Sequence, residues 1–346
     1  MLELVERELN WILDSPVFFA RDAHLQAPLE CQNLSSISLP GPIVSPNNFE
    51  FLSNEESANL ISSAQARRDC AEQIFKELQT LHTGRLGLVF EKYLEQILAS
   101  QFGSSNVSTR VPVRQDYVPG PGSKTWGEFD FLLLNSKKQR VEHWESSIKF
   151  YLQVRDEPAW KWCWGPGVID RLDLKGPKTF LQQLSLSSTL LGQNSIPTPW
   201  RELPLVKRVF AKGTIFYSWK PHIETFAERL KHISAPCGLS GEHLKSWWIH
   251  PHSVAHLEEH YRNHSIAILP RRYWMTGLPK EALPTLLESW STFLEKLELR
   301  SKVASERKEC LYVAIYSTEL VGKLECCGFI ATPHFINANS QKNTTE

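Results

Sequence analysis

The sequence has no excess of charge of either sign. Its 346 residues carry 38 Lys and Arg against 38 Asp and Glu, a formal net charge of zero. A basic field over the whole chain, the usual electrostatic footprint of a nucleic-acid-binding protein, is therefore missing, and binding of that kind has to come from a local patch. No run of 18 or more apolar residues occurs, so no membrane span and no membrane partner are expected. The opening MLELVERELNWILDSP has neither the basic start nor the unbroken apolar stretch of a secretion signal. Seven cysteines (Cys31, Cys70, Cys163, Cys237, Cys310, Cys326 and Cys327) form no C-x-x-C pair and no dense extracellular framework. Reduced thiols in the cytoplasm are the expected state.

What is present reads as an ordinary α/β chain. Hydrophobic residues make up 42% and charged residues 22%, as in a globular protein long enough for one large domain or a core with a smaller second one. Helices are expected at 2–13, where Leu2, Val5, Leu9 and Ile12 recur at helical spacing, at 56–80, and at 86–98 with the stripe Leu86, Phe90, Tyr93, Leu94 and Ile97. The Pro-, Ser- and Asn-rich 25–55 reads as an extended loop. Strands are expected at 107–115, 127–134, 141–154, 213–219 and 310–317, with a Pro/Gly turn at 116–125 and a polar hairpin connection at 135–140. In 170–191 the second half is the expected helix, with Pro177 in its first turn, and another helix is expected around 281–298. The resulting division is an N-terminal helical and loop region at 1–80, a core at 81–199, an α+β extension at 200–335 and a flexible tail at 336–346.

Two strands carry the chemistry. In 127–134 one face holds Glu128, Asp130, Leu132 and Leu134. In 141–154 the even positions give Trp144, Ile148, Phe150, Leu152 and Val154, and the odd ones Glu145, Ser147, Lys149, Tyr151 and Gln153. A strand with one apolar face buries that face, and charges on its reverse are costly unless paired or bound to metal. The short connection makes the strands antiparallel neighbours, so that Asp130 and Glu145 approach across the pair with Lys149 further along. Two carboxylates with a carbonyl and water suit Mg²⁺ or Mn²⁺. A nearby lysine suits orientation of an attacking water.

The order of a helix with FEKYLEQIL, a strand with GEFDFLLL, a strand with WESSIKFYL and a helix with FLQQL resembles the PD-(D/E)XK nuclease superfamily. More closely, RLGLVFEKYL (85–94), GEFDFLL (127–133), HWESSIKFYL (143–152) and GPGVIDRLDLK (165–175) are similar to DUF1853, a bacterial family placed in that superfamily. The likeness extends through LKSWWI (244–249) and LPRRYW (269–274). It implies a restriction-endonuclease-like mixed sheet flanked by helices. It also implies that Asp130 is the principal metal ligand, Glu145 the second acid, Lys149 the lysine, Glu91 the helix acid and Gln183, or Gln182, the helix polar residue; Glu128 shares a face with Asp130. One departure matters. The superfamily sets acid and lysine two residues apart, whereas here Ser147 stands at that place. Glu145 and Lys149 are four residues apart, about 13 Å of extended strand.

Lys161, Arg171, Lys175 and Lys178, interleaved with Trp160, Trp162 and Trp164, form a candidate nucleic-acid surface in which lysines contact phosphates and indoles stack bases. A Trp-rich core edge with surface lysines is the competing account. Arg271, Arg272, Tyr273 and Trp274 make a second small basic-aromatic cluster. His256, Glu259 and His260 match H-x-x-E-H, a zinc-peptidase pattern of only three fixed positions. The functions to be weighed are therefore Mg²⁺-dependent hydrolysis of nucleic acid, DNA before RNA; a nuclease-like module of little or no activity that binds nucleic acid, a protein partner or a second copy of itself; and, last, a zinc peptidase.

Overall fold

The structure, a computed structural model, describes residues 1–31, 37–45, 48–81, 83–115, 124–318 and 322–342. The N-terminal third is helical: α1 (Leu2–Asp14), α2 (Ala23–Glu30), α3 (Asn54–Ala58), α4 (Ala64–Thr80) and α5 (Leu86–Phe102). Ser53 and Glu56 close a reciprocal cap at the start of α3, Ser63 caps α4, and Gly103, at φ 85°, ends α5. Strands β1 (Val107–Arg114), β2 (Thr125–Asn135), β3 (Arg140–Gln153) and the short β4 (Cys163–Trp164) follow. Next come α6 (Leu172–Pro177), a wide π turn at 178–183, α7 (Leu184–Leu186) and α8 (Leu190–Ser195). The rest comprises β5 (Leu205–Ser218), α9 (Phe226–Leu230), β6 (Leu244–Ile249), α10 (Val254–His260), β7 (His264–Ile268), α11 (Leu283–Leu286), α12 (Trp290–Glu306), β8 (Leu311–Ser317), β9 (Leu324–Ile330) and α13 (Pro333–Lys342).

The nine strands of the described residues share one mixed sheet in the order β1-β2-β3-β5-β6-β9-β8-β7, with β4 on the edge of β3. The β2–β3 hairpin is antiparallel as expected, with Phe131 opposite Trp144. The segments before and after residue 200 meet inside this sheet, because β5 runs parallel to β3 along nearly its whole length. Gly213 makes that approach possible: a Cβ there would run into the Lys149 carbonyl. β3 is therefore central and covered on both faces, as expected of a strand with a parallel neighbour. One face lies under α1, α4 and α5, where Trp144 and Phe210 pack with Phe90 and Tyr93. On the other, Tyr151 packs with Phe18, Trp160, Leu172 and Phe180. The charged face of β3 is thus interior rather than an exposed reverse.

Several local expectations are corrected. Part of 25–55 is helical, because Ala23 and Ala27, one turn apart, are fully buried in α2; so small a stripe is invisible to apolar periodicity. In 170–191 the helix starts at Leu172, and Pro177 ends its first segment rather than opening it. Proline gives no N–H to the preceding turn, and the chain continues as the π turn to Gln183. Residues 336–342 are helical within α13, which buried Phe335 pins to the core. Residues 116–123 of the expected turn and 343–346 of the expected tail lie outside the described residues. Among the described residues no helix is long and apolar enough to cross a membrane.

Candidate active site

The ladder between β2 and β3 stops at Phe131 and Trp144. On that edge β3 next meets a strand at Leu152, which pairs with Trp164 of β4. Residues 145–151 lie in the gap between, and Asp130 stands at its start. Its Oδ2 accepts hydrogen bonds from the Ser146 backbone N–H at 2.8 Å and from the Ser146 hydroxyl at 3.2 Å. A side chain thus takes the place of a ladder carbonyl. On the β1 side, Arg110 lies at φ 50°, and its guanidinium meets Glu91 of α5 at 2.7 Å. Asp130, Glu91, Glu95, Arg110 and Thr109 line a cavity of about 220 Å³.

Glu145 lies deeper and is only 2% exposed. Its Oε2 accepts from the Gln183 amide at 2.9 Å, and its Oε1 lies 2.9 Å from His143 Nε2. The π turn after Pro177 therefore ends on the polar residue that the resemblance picked out, Gln183 and not Gln182. His143 is fully buried beside the Phe129 ring, with Nδ1 2.9 Å from the Ser187 hydroxyl. Burial, then Lys207, pushes its pKa down to about 3, so this histidine is neutral and brings Glu145 no compensating charge. Burial pushes Glu145 up to about 8, with Glu128 and Glu91 adding to the rise and the Asp130 backbone N–H opposing it. Asp130 is raised to about 7, by burial first and then by the Glu145 charge. Lys149 is lowered by burial, which outweighs the pull of Asp170 and Asp130.

The structure thus gathers Asp130, Glu145, Glu91 and Gln183 and places Lys149 within electrostatic reach of Asp130. Two participants went unassigned in the sequence. Asp170 accepts from the Tyr151 hydroxyl at 3.3 Å and acts on Lys149; its signal was its place in the GPGVIDR stretch. His143 was legible only as an odd-position neighbour of Glu145. Among the described residues, no group of three His, Cys, Asp or Glu side chains is arranged to hold a metal ion.

The other candidate surfaces fare differently. Trp160, Trp162 and Trp164 are buried, and their indole N–H groups donate to the Cys237 carbonyl, Glu157 and the Lys161 carbonyl. They are core, not stacking platforms. Lys161 lies half-buried over Trp162, and Arg171 is paired with Asp173; of the four proposed phosphate contacts, Lys175 and Lys178 are the exposed ones. Half-buried Arg272 pairs with buried Glu8, which also takes the Tyr93 hydroxyl, and so fastens the C-terminal half to α1 and α5. On α10, His256 sits 3.6 Å from Glu259, whereas His260 Nε2 bonds the Pro221 carbonyl at 2.7 Å. The two histidines are not poised over one ion.

No curated protein and no solved structure matches the chain. A family model matches residues 7–325, nearly the whole chain, and the protein belongs to the family it describes, Domain of unknown function (DUF1853).

Proposed function

We propose that the protein is a PD-(D/E)XK-type nuclease that hydrolyses phosphodiester bonds of nucleic acid, DNA before RNA, with Mg²⁺ or Mn²⁺. The observation that carries the reading is the pair Asp130 and Glu145, two carboxylates raised by burial at the unpartnered stretch of β3, with Lys149 further along the same strand. Neighbouring carboxylates whose pKa values are raised this far by burial and by nearby acids cluster at functional sites. The donors are hard oxygens, which fits Mg²⁺ or Mn²⁺ and not zinc. Among the described residues no three-ligand group stands ready, and Mg²⁺ is an ion that keeps several waters and takes only one or two carboxylates from the protein. Asp130 would be the principal ligand of the ion, with Glu145 as the second acid and Glu91, on the same cavity wall as Asp130, completing the set. Such an ion polarises the phosphate and acidifies the attacking water.

The protein's own groups have separate tasks in this reading. Ser146 fixes the Asp130 carboxylate, and Gln183 and His143 fix that of Glu145. Arg110 holds Glu91 toward the same cavity. Lys149, whose proton is loosened by burial and retained by Asp170 and Asp130, orients the water or faces the phosphate oxygens. A second reading, a nuclease-like module that binds without efficient cleavage, is favoured by one observation: each Glu145 oxygen already has a side-chain partner. The test is cleavage of labelled single-stranded and duplex DNA and RNA in Mg²⁺ or Mn²⁺. Cleavage that is lost in EDTA and in folded Asp130→Asn and Lys149→Met proteins is the expected result. Binding without cleavage on every substrate selects the second reading.

A further inference from the structure

Beside Lys149 the chain makes a tight excursion between β4 and α6. Trp164 bridges Arg171, the Gly165 N–H donates to the Asp170 carbonyl at 2.6 Å, and the Val168 N–H donates to the Gly165 carbonyl at 2.8 Å. The loop has little room to relax: a Cβ on Gly165 would meet Asp170 Cβ at 3.0 Å, and one on Gly167 would meet the Lys308 carbonyl at 3.3 Å. Within it Val168 is held at φ 67°, a conformation that β-branched residues rarely adopt. Its side chain packs, partly buried, on the cluster that contains Trp164 and Leu152. The residue turned outward is Ile169, which is 82% exposed, more than any other large hydrophobic side chain among the described residues. The next residue is Asp170, bonded to Tyr151.

A lone exposed aliphatic side chain is ordinary. One held out by a strained β-branched neighbour, on a loop locked at both ends, is different. Such strain persists only where the surroundings enforce it, and it concentrates at ligand clamps. Exposed Lys175 and Lys178 follow on the same stretch, while the nearby indoles are buried and unable to stack. We propose that Ile169 is a wedge that enters the base stack of a bound duplex beside the scissile phosphate, with Lys175 and Lys178 on neighbouring phosphates. Aliphatic side chains inserted at a base step unstack it and kink the duplex. The proposal rests on the nucleic-acid reading above and adds to it a preference for stacked, double-stranded substrate.

The test uses full-length Asp130→Asn protein, whose Asn can still accept from Ser146, and a duplex carrying 2-aminopurine at successive positions. Binding is read by anisotropy and unstacking by 2-aminopurine emission. The expected result is an emission rise at one step. Ile169→Ala should abolish the rise and weaken duplex binding about tenfold, the loss for one buried aliphatic group, with little change on single strands. Ile169→Leu should retain both. Binding with emission that never rises, or that rises equally in Ile169→Ala, overturns the wedge and leaves the nucleic-acid reading standing. Absence of binding to any DNA or RNA overturns both.

Discussion

Two buried glutamates stand three residues apart on β3, and the protein treats them oppositely. Glu142 accepts from Arg140 at 2.8 Å, the Asn135 amide at 2.8 Å and the Trp144 indole at 2.9 Å, and the Arg208 guanidinium forms an ion pair with it at 3.0 Å. Glu50 ties both arginines from outside, at 2.7 and 2.6 Å. Burial alone would raise Glu142, yet Arg208 and the hydrogen bonds hold it below its ordinary value. Glu145 is as deeply buried but has an amide and a neutral imidazole as side-chain partners, and it rises to about 8. The same side chain on the same strand is held in its charged form where cations meet it and pushed toward its neutral form where they do not. A fold that can neutralise Glu142 so thoroughly has left Glu145 and Asp130 uncompensated, and that contrast is the physical basis for reading them as the site.

The comparison breaks most visibly on stability. Glu142→Leu takes the inner carboxylate from two guanidinium groups that only Glu50, on the outside, still pairs, and should cost about 3 kcal/mol in a denaturant titration. Glu145→Gln near pH 6 should cost less than about 1 kcal/mol, because a neutral amide resembles the protonated acid. Equal losses would erase the distinction between the two acids. The second expectation concerns pH, measured in EDTA. The Glu145 pKa is raised from 4.5 to about 8 and that of Asp130 from 3.8 to about 7. Native protein then holds more protons than unfolded protein between these limits, so their contribution to stability is full below about pH 4 and lost as pH rises toward 8. Glu142, lowered, has the opposite sign: its contribution is present above its unfolded value of 4.5 and lost as pH falls through its native one. Glu145→Gln should flatten the alkaline decline and leave the acid limb in place.

Smaller effects sharpen the picture. Gln183→Met removes one hydrogen bond to Glu145 and should cost about 1 kcal/mol, with a further rise in the Glu145 pKa and a loss of any metal-dependent rate. Lys178→Ala should weaken nucleic-acid binding evenly across sequences and lower the salt dependence by about one phosphate contact. Trp162→Phe, by contrast, should affect stability and leave binding unchanged, since its ring is interior.

How much of this was legible in the sequence follows from range. The β2–β3 hairpin, the facing of Asp130 and Glu145 and the polar role of Gln183 are encoded by local alternation and by a resemblance carried in short motifs. β5 was foreseen only at 213–219, although it starts at Leu205. Lys207, Arg208 and Lys212 break its apolar run, and what makes them tolerable inside is distant: Glu50 and Glu142 for Arg208, the Ser15 carbonyl for Lys212, the Phe49 ring for Lys207. The burial of Trp160, Trp162 and Trp164 was equally hidden, because an indole beside a lysine reads alike on a surface and in a core. Asp170 joins the site through a loop closure between Gly165 and Asp170 that no periodicity reports.

The central claim is that Asp130 and Glu145 are held uncompensated for a divalent cation. Its most direct test is calorimetric titration of Mn²⁺ into wild-type, Asp130→Asn and Glu145→Gln proteins at pH 8. The account predicts one bound ion per wild-type chain, with proton release, no binding by Asp130→Asn and weakened binding by Glu145→Gln. Wild-type protein that takes up no Mn²⁺, or an Asp130→Asn protein that binds it equally well, would contradict the account.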